Sequence, residues 1–150
     1  MCEAVEQRWS ERVRVVIKQS LELTRTAQIE KAFVVLDAAI AEAILEHQGE
    51  WILTLCRHAA VLAHAKGDRR REIEYTKREI EYTKQALPHA KDYRFAAYNF
   101  AQLLLRDGQV DLAQRYAIEA YRLRTASETE ADRDLTAAII KQWPNIAEHC

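Results

Sequence analysis

Histidine and cysteine are the residues of this chain whose side chains suit metal binding or nucleophilic catalysis. They are scattered along the sequence, at Cys2, His47, Cys56, His58, His64, His89, His149 and Cys150. Two side chains share a helical face when they are three or four residues apart, whereas His58 and His64 are six apart and Cys56 and His58 are two apart. We therefore predict no metal site and no nucleophilic cysteine, and we interpret Cys56 as a buried structural thiol.

Phosphate chemistry has as little support, because a phosphate-binding loop needs several closely spaced glycines. The chain has only three glycines, Gly49, Gly67 and Gly108, and each lies at a predicted turn. No set of residues resembles a catalytic constellation. We predict that the protein is not an enzyme and needs no cofactor.

The most concentrated charge is the basic run KGDRRR, Lys66 to Arg71, which suggests a site for an anion or a nucleic acid. Nucleic-acid binding would also require neighbouring aromatic side chains or a docking helix, and neither is evident there. The net charge of the chain is −1, so no general attraction to nucleic acid or to an anionic membrane is expected. We favour a solvated turn and predict no nucleic-acid partner.

The elements that must position these residues are helices. Glycine and proline number only 3 and 2, and strong helix formers dominate, which predicts an all-α fold. Apolar residues recur at intervals of three and four in seven segments, which we place at 3–25, 27–47, 51–66, 69–87, 93–106, 110–124 and 127–142. We expect Gly49 to take the left-handed position that ends the second helix, and Asp68 and Ser127 to cap the fourth and seventh.

Length and cysteine usage bear on domain number and compartment. The 150 residues fit one domain, residues 1–150. No apolar run reaches the roughly 18 residues that a membrane span requires, and the N-terminal residues lack the apolar segment of a signal peptide. An odd number of widely spaced cysteines favours reduced thiols. We predict a cytoplasmic protein that does not bind membranes.

A tandem copy of seven residues sets this chain apart: REIEYTK occupies Arg71 to Lys77 and again Arg78 to Lys84. Seven residues make about 1.94 helical turns, so the copy rotates the downstream residues about the helix axis by only about 20°. Ile73 and Ile80 therefore share a face, and we predict one continuous helix, lengthened by about 10 Å or two turns. Two heptads are too few to indicate a coiled coil. The copies are identical, so we interpret the duplication as recent or engineered.

The copy also accounts for the spacing of two turns. Gly67 and Gly108 are 41 positions apart. Without one copy the spacing becomes 34, which is the period of the tetratricopeptide repeat. The chain resembles that family in three units, at about 13–46, 53–93 and 94–127.

The resemblance rests on small residues where the two helices of a unit touch. The last unit has Ala101, Ala113 and Ala120 at these positions. The other two units depart further from the pattern. In the middle unit Ala60 and Ala86 fit, but Glu72 or Glu79 replaces an alanine. In the first unit Ser20, Ala32 and Ala39 fit, but Ala27 replaces the turn glycine. The proline usual near the end of a unit is missing from all three.

The resemblance implies an α-solenoid of three antiparallel helix pairs, with a C-terminal capping helix at about 127–142. It also implies that the first helix of each pair lines a concave, mildly basic groove that binds a peptide or protein partner. The predicted peptide-binding residues are Arg57, His58, Tyr98, Asn99 and Arg106. Extended peptides with acidic groups would suit this face.

Two alternatives to a monomeric binding module remain open. In the first, the lengthened helix strains the link after it, and the protein exchanges its C-terminal helices to form a homodimer with a structural or regulatory role. In the second, the chain is the sensor fragment of a larger regulator.

Overall fold

The computed structural model describes residues 2–86, 90–124 and 129–149. It has seven α-helices and one 3₁₀ helix, in the order α1 (Cys2–Arg25), α2 (Ile29–Leu45), α3 (Gly49–Ala65), α4 (Arg69–Ala86), α5 (Ala90–Arg106), α6 (Val110–Arg122), α7 (Glu130–Gln142) and the 3₁₀ helix Ile146–His149. No strand occurs in these ranges, so the all-α prediction is confirmed for them. None of the described helices has both the length and the apolarity needed to cross a membrane.

Four turns between consecutive helices share one geometry. Their left-handed residues are Ala27 (φ 60°), His47 (φ 54°), Gly67 (φ 70°) and Gly108 (φ 80°). At each turn this residue and the next donate their backbone N–H groups to carbonyls three and five residues earlier, as in Gly67 to His64 and Asp68 to Ala63. This is the Schellman ending, which satisfies carbonyls that the helix leaves unpaired.

The prediction that Gly49 ends α2 in a left-handed conformation is wrong. His47 takes that position, with hydrogen bonds from its N–H to the Ile44 carbonyl at 3.1 Å and from the Gln48 N–H to the Ala43 carbonyl at 2.9 Å. Gly49 is instead the first residue of α3. Because one left-handed residue is enough to turn the chain, the next helix begins before the glycine can be used for that purpose.

Both copies of the heptad lie in the single helix α4, so the prediction of a continuous helix is confirmed. Tyr75 of the first copy and Ile80 of the second are buried, and Ile73 and Tyr82 are half-buried. The apolar face thus persists through the copy, as a seven-residue period requires. Asp68 caps the helix as predicted, by accepting a hydrogen bond from the Arg71 N–H at 3.2 Å.

Tertiary contacts divide the chain into two compact units, unit 1 (Met1–Tyr82) and unit 2 (Thr83–Cys150). In unit 1, α2 packs against both α1 and α3. The core includes Trp9, Phe33, Leu36, Leu55 and Tyr75. Alanines such as Ala32 and Ala59 are fully buried in this core, where their small side chains allow helices to pack closely.

In unit 2, α5 packs against α6, and a buried arginine ties α7 to this pair. Arg94 of α5 donates from Nε to the Ala120 carbonyl at 2.7 Å and from Nη1 to the Asp132 carbonyl at 3.3 Å. α7 is capped by Thr129, which forms a capping box with Asp132. The predicted cap Ser127 lies outside the described residues.

Candidate functional site

An exposed stripe of α3 in unit 1 carries charged, polar and apolar side chains that could contact a ligand. The opposite face of α3 is buried, with Leu55, Ala59 and Leu62 in the core. Arg57, Val61 and His64 succeed one another at intervals of four and three, so they share one face. Val61 is 62% exposed, which places an apolar side chain in solvent between an arginine and a histidine.

Helix α4 faces this stripe with two carboxylates from equivalent positions of the two heptads. Arg57 donates from Nε to Glu79 Oε1 at 2.9 Å. His64 Nδ1 lies 3.0 Å from Glu72 Oε2, an ion pair whenever the imidazole is protonated. The partners are seven residues apart on both helices, so α3 and α4 run antiparallel in constant register here. We call the pairs the outer rung (Arg57 and Glu79) and the inner rung (His64 and Glu72).

The two rungs border an open groove of about 310 Å³ between α3 and α4. Its lining residues are Arg57, Ala60, Val61, His64, Glu72 and Glu79. The glutamate side chains of the outer and inner rungs are only 16% and 18% exposed, whereas their partners Arg57 and His64 are both 68% exposed. The carboxylates therefore belong to the wall, and the Arg57 and His64 side chains lie at the rim, where a ligand meets them first.

His58 faces α1 and not the groove between α3 and α4. The Ser20 hydroxyl of α1 donates to the Ile17 carbonyl at 2.7 Å, so its oxygen accepts from His58 Nε2, which lies 3.1 Å away. Burial lowers the pKa of the His58 imidazole, which favours the neutral ring. This half-buried residue thus joins α1 to α3, and its role in ligand binding stays a prediction.

The remaining predicted binding residues, Tyr98, Asn99 and Arg106, lie on α5 in unit 2. Tyr98 is half-buried, and the other two are exposed. Gln102, four residues after Tyr98 on the same helix, accepts a hydrogen bond from the Gln142 amide of α7 at 3.0 Å. That these residues form one groove with Arg57 and His58 stays a prediction.

The four residues that mark the ends of the heptad copies have different surroundings. Arg71 binds both carboxylate oxygens of Glu30, at 2.9 and 2.6 Å, and its guanidinium lies 4.2 Å from the centroid of the Phe33 ring. Lys77 and Arg78 are exposed. Lys84 lies within unit 2, 3.5 Å from Glu119. Only Arg71 is thus built into the packing of unit 1, where it anchors α4 to α2.

Arg71 also ends the basic run KGDRRR, for which a solvated turn was favoured. Its guanidinium lies 3.3 Å from Asp68 as well as being held by Glu30. Two carboxylates thus offset part of the positive charge of the run. Arg69 and Arg70 are exposed at the start of α4.

The structure gives a physical reason for interpreting Cys56 as structural. Its side chain is fully buried, and burial raises the pKa of the thiol to about 12. The reactive thiolate is therefore almost absent at neutral pH. Within the described ranges, no group of three or more potential metal-binding side chains comes together.

Sequence reasoning did not assign Glu72 and Glu79 to the site, although a signal was present. In the resemblance to the tetratricopeptide repeat, Glu72 or Glu79, according to which copy is counted, stands where that family has alanine. A carboxylate at a helix contact needs a cationic partner or solvent. The partners, Arg57 and His64, become visible only when the register of α3 against α4 is known.

Comparison with known proteins adds no assignment: no protein-family model matches the chain, and no curated protein matches it significantly.

Proposed function

We propose that the protein is a non-enzymatic interaction module that binds an acidic, partly apolar peptide segment of a partner protein along α3. The observation that carries this proposal is the exposed Val61 between the exposed side chains of Arg57 and His64, beside an open groove. An apolar contact provides affinity through buried area, and Arg57 provides charge-assisted hydrogen bonds to carboxylates, as does His64 whenever its imidazole is protonated.

The existing ion pairs are compatible with such a ligand. Pairs whose cation is largely exposed contribute only about 0–1 kcal/mol, because water screens the attraction and the long side chains lose freedom. A ligand carboxylate can therefore compete with Glu79 for the Arg57 guanidinium. The pairs hold the Arg57 and His64 side chains near the groove and limit the side-chain entropy that binding would otherwise cost.

We further propose that the helix pairs stack as an α-solenoid like that of the tetratricopeptide repeat, with α7 as its cap, and that Tyr98, Asn99 and Arg106 extend the binding surface. The pairing of α1 with α2 and of α5 with α6 supports the repeat architecture. The repeated Schellman turns support it as well, because one turn geometry recurs between successive helices.

A peptide array tests the binding function directly. Peptides that combine glutamate with leucine or valine are screened on an array, and the best binder is measured by fluorescence polarisation. The double variant Arg57→Ala with Arg106→Ala should lower its affinity at least tenfold, because a hydrogen bond to a charged group contributes about 1.5–3 kcal/mol.

The matched control is Lys31→Ala with Arg115→Ala, which removes one exposed cation from each unit. It changes the net charge equally and should leave affinity within about twofold. If both double variants weaken binding alike, the attraction is general electrostatics and the assigned site is wrong.

Self-association is the alternative proposal. The boundary between the two units falls inside α4, so a helix joins them, and an exchange of unit 2 between copies would require this helix to bridge two molecules. Light scattering coupled to size-exclusion chromatography decides between the proposals. A mass of one chain at micromolar concentration excludes the exchange, whereas a stable mass of two chains supports it.

A further inference from the structure

We infer that Glu79 is a built-in competitor for acidic ligands at Arg57, and that the second heptad copy provides it. This inference rests on the proposed function, because it concerns the regulation of the same site. It derives from the outer rung, where the Arg57 guanidinium already binds a carboxylate of its own chain at 2.9 Å.

The register shows what the duplication changed. Glu72 of the inner rung belongs to the first copy, and a chain with one copy would keep it. In such a chain Gln85 and Ala86 would come directly after Lys77, so Ala86 would take the helical position of Glu79. The copy thus replaced a methyl group by a carboxylate opposite Arg57. That alanine is also what the tetratricopeptide resemblance leads one to expect at this position.

The burial of the two partners makes Glu79 an effective competitor. Its side chain is only 16% exposed in the groove wall, whereas Arg57 is 68% exposed at the rim. Glu79 is therefore held in place by the fold, and the arginine reaches it without any change in the backbone. A ligand carboxylate must displace this contact and also approach the negative charge that remains in the wall.

The inference predicts that removing the charge of Glu79 tightens the binding of an acidic ligand. The probe is hexaglutamate, measured by isothermal titration calorimetry at low salt, with the Nε–Hε resonance of Arg57 monitored by NMR. Glu79→Gln should lower Kd about fivefold, as expected for release of a surface ion pair. Glu79→Ala, which restores the residue of a single-copy chain, should do the same.

The matched control is Glu81→Gln, because Glu81 is an exposed glutamate on the same helix and the substitution changes net charge equally. Its Kd should stay within about 1.5-fold of the unsubstituted protein. In the double variant Arg57→Ala with Glu79→Gln, the gain in affinity should disappear, and circular dichroism should show that every variant keeps its helices.

The outcomes separate this inference from the proposed function. If Glu79→Gln and Glu81→Gln tighten binding equally, the competitor role is overturned, while weaker binding by Arg57→Ala still supports the site. If Arg57→Ala leaves Kd unchanged in every background, neither the site nor the competitor role survives. A gain specific to Glu79 and dependent on Arg57 supports both.

Discussion

Arg57 of α3 and Glu79 of α4 are joined at 2.9 Å across a groove, and seven residues along each helix His64 and Glu72 form an equivalent contact at 3.0 Å. Identical heptads account for this repetition, because seven residues bring the same side chain to nearly the same face two turns later. The duplication has therefore added a second carboxylate to the groove as well as lengthening α4.

The two copies of Tyr in α4 provide a test of what packing adds to an identical sequence. The Tyr75 hydroxyl donates to Asp37 Oδ1 at 2.6 Å, whereas Tyr82, its copy, has no such bond among the described residues. Tyr75→Phe should lower the free energy of unfolding by about 1 kcal/mol, because a hydrogen bond to a carboxylate is lost. Tyr82→Phe is the control and should change it by less than about 0.5 kcal/mol. Urea unfolding measures both, and equal losses would contradict the assignment of the bond.

His58 should make the protein less stable in mild acid. Burial lowers its pKa in the folded state, while the unfolded chain keeps a value near 6.5. Below that pH the unfolded state binds more protons than the folded state, so the free energy of unfolding falls as the pH falls. The loss between pH 7.5 and pH 5 should be larger in the unsubstituted protein than in His58→Gln, as measured by urea unfolding.

The control for the pH experiment is His47→Asn, which replaces an exposed histidine by a residue that tolerates the left-handed conformation. Its pH dependence should match that of the unsubstituted protein. If His58→Gln shows the same loss of stability in acid, the burial of the His58 imidazole is not the source.

Ala27 carries a conformational strain that glycine would avoid, since its φ is 60°. Ala27→Gly should raise the free energy of unfolding by about 0.5–1 kcal/mol, because the left-handed conformation strains a residue that has a Cβ. The same change at Ala38, an exposed position inside α2, should lower it by about 1 kcal/mol. Thermal unfolding distinguishes the two, and a loss of stability in Ala27→Gly would contradict the turn geometry.

Deleting Arg78 to Lys84 should give a folded protein whose two turn glycines, Gly67 and Gly108 in the present numbering, are 34 positions apart. Because the copies are identical, deleting either one produces the same sequence. The first-copy contacts of Arg71 with Glu30 and of Tyr75 with Asp37 should remain. Circular dichroism should show a helical protein with one cooperative transition. An unfolded deletion variant would mean that the argument from heptad periodicity is wrong.

The sequence by itself determined the helices and most of their ends, because these depend on neighbours in the chain. Apolar residues that recur every three or four positions predicted all seven α-helices. Gly67 and Asp68 marked the turn between α3 and α4, because Gly67 adopts the left-handed conformation and Asp68 accepts a hydrogen bond from the first turn of α4. The Gly49 prediction failed because α2 ends at Leu45, so a left-handed residue at His47 already completes the turn and Gly49 begins α3. His47 takes this conformation although glycine adopts it more readily.

The tertiary structure determines which residues border the candidate site, and it gives the two heptads different surroundings. The sequence predicted a binding role for Arg57 but did not show its partner, since the pairing with Glu79 depends on how α3 lies against α4. In the same way, two identical tyrosines differ in burial: Tyr75 is 4% exposed and bonded to Asp37, while Tyr82 is only half-buried. Local sequence cannot separate identical segments. The two copies differ only through the elements packed against them, because the burial and hydrogen bonding of a residue depend on its neighbours in space.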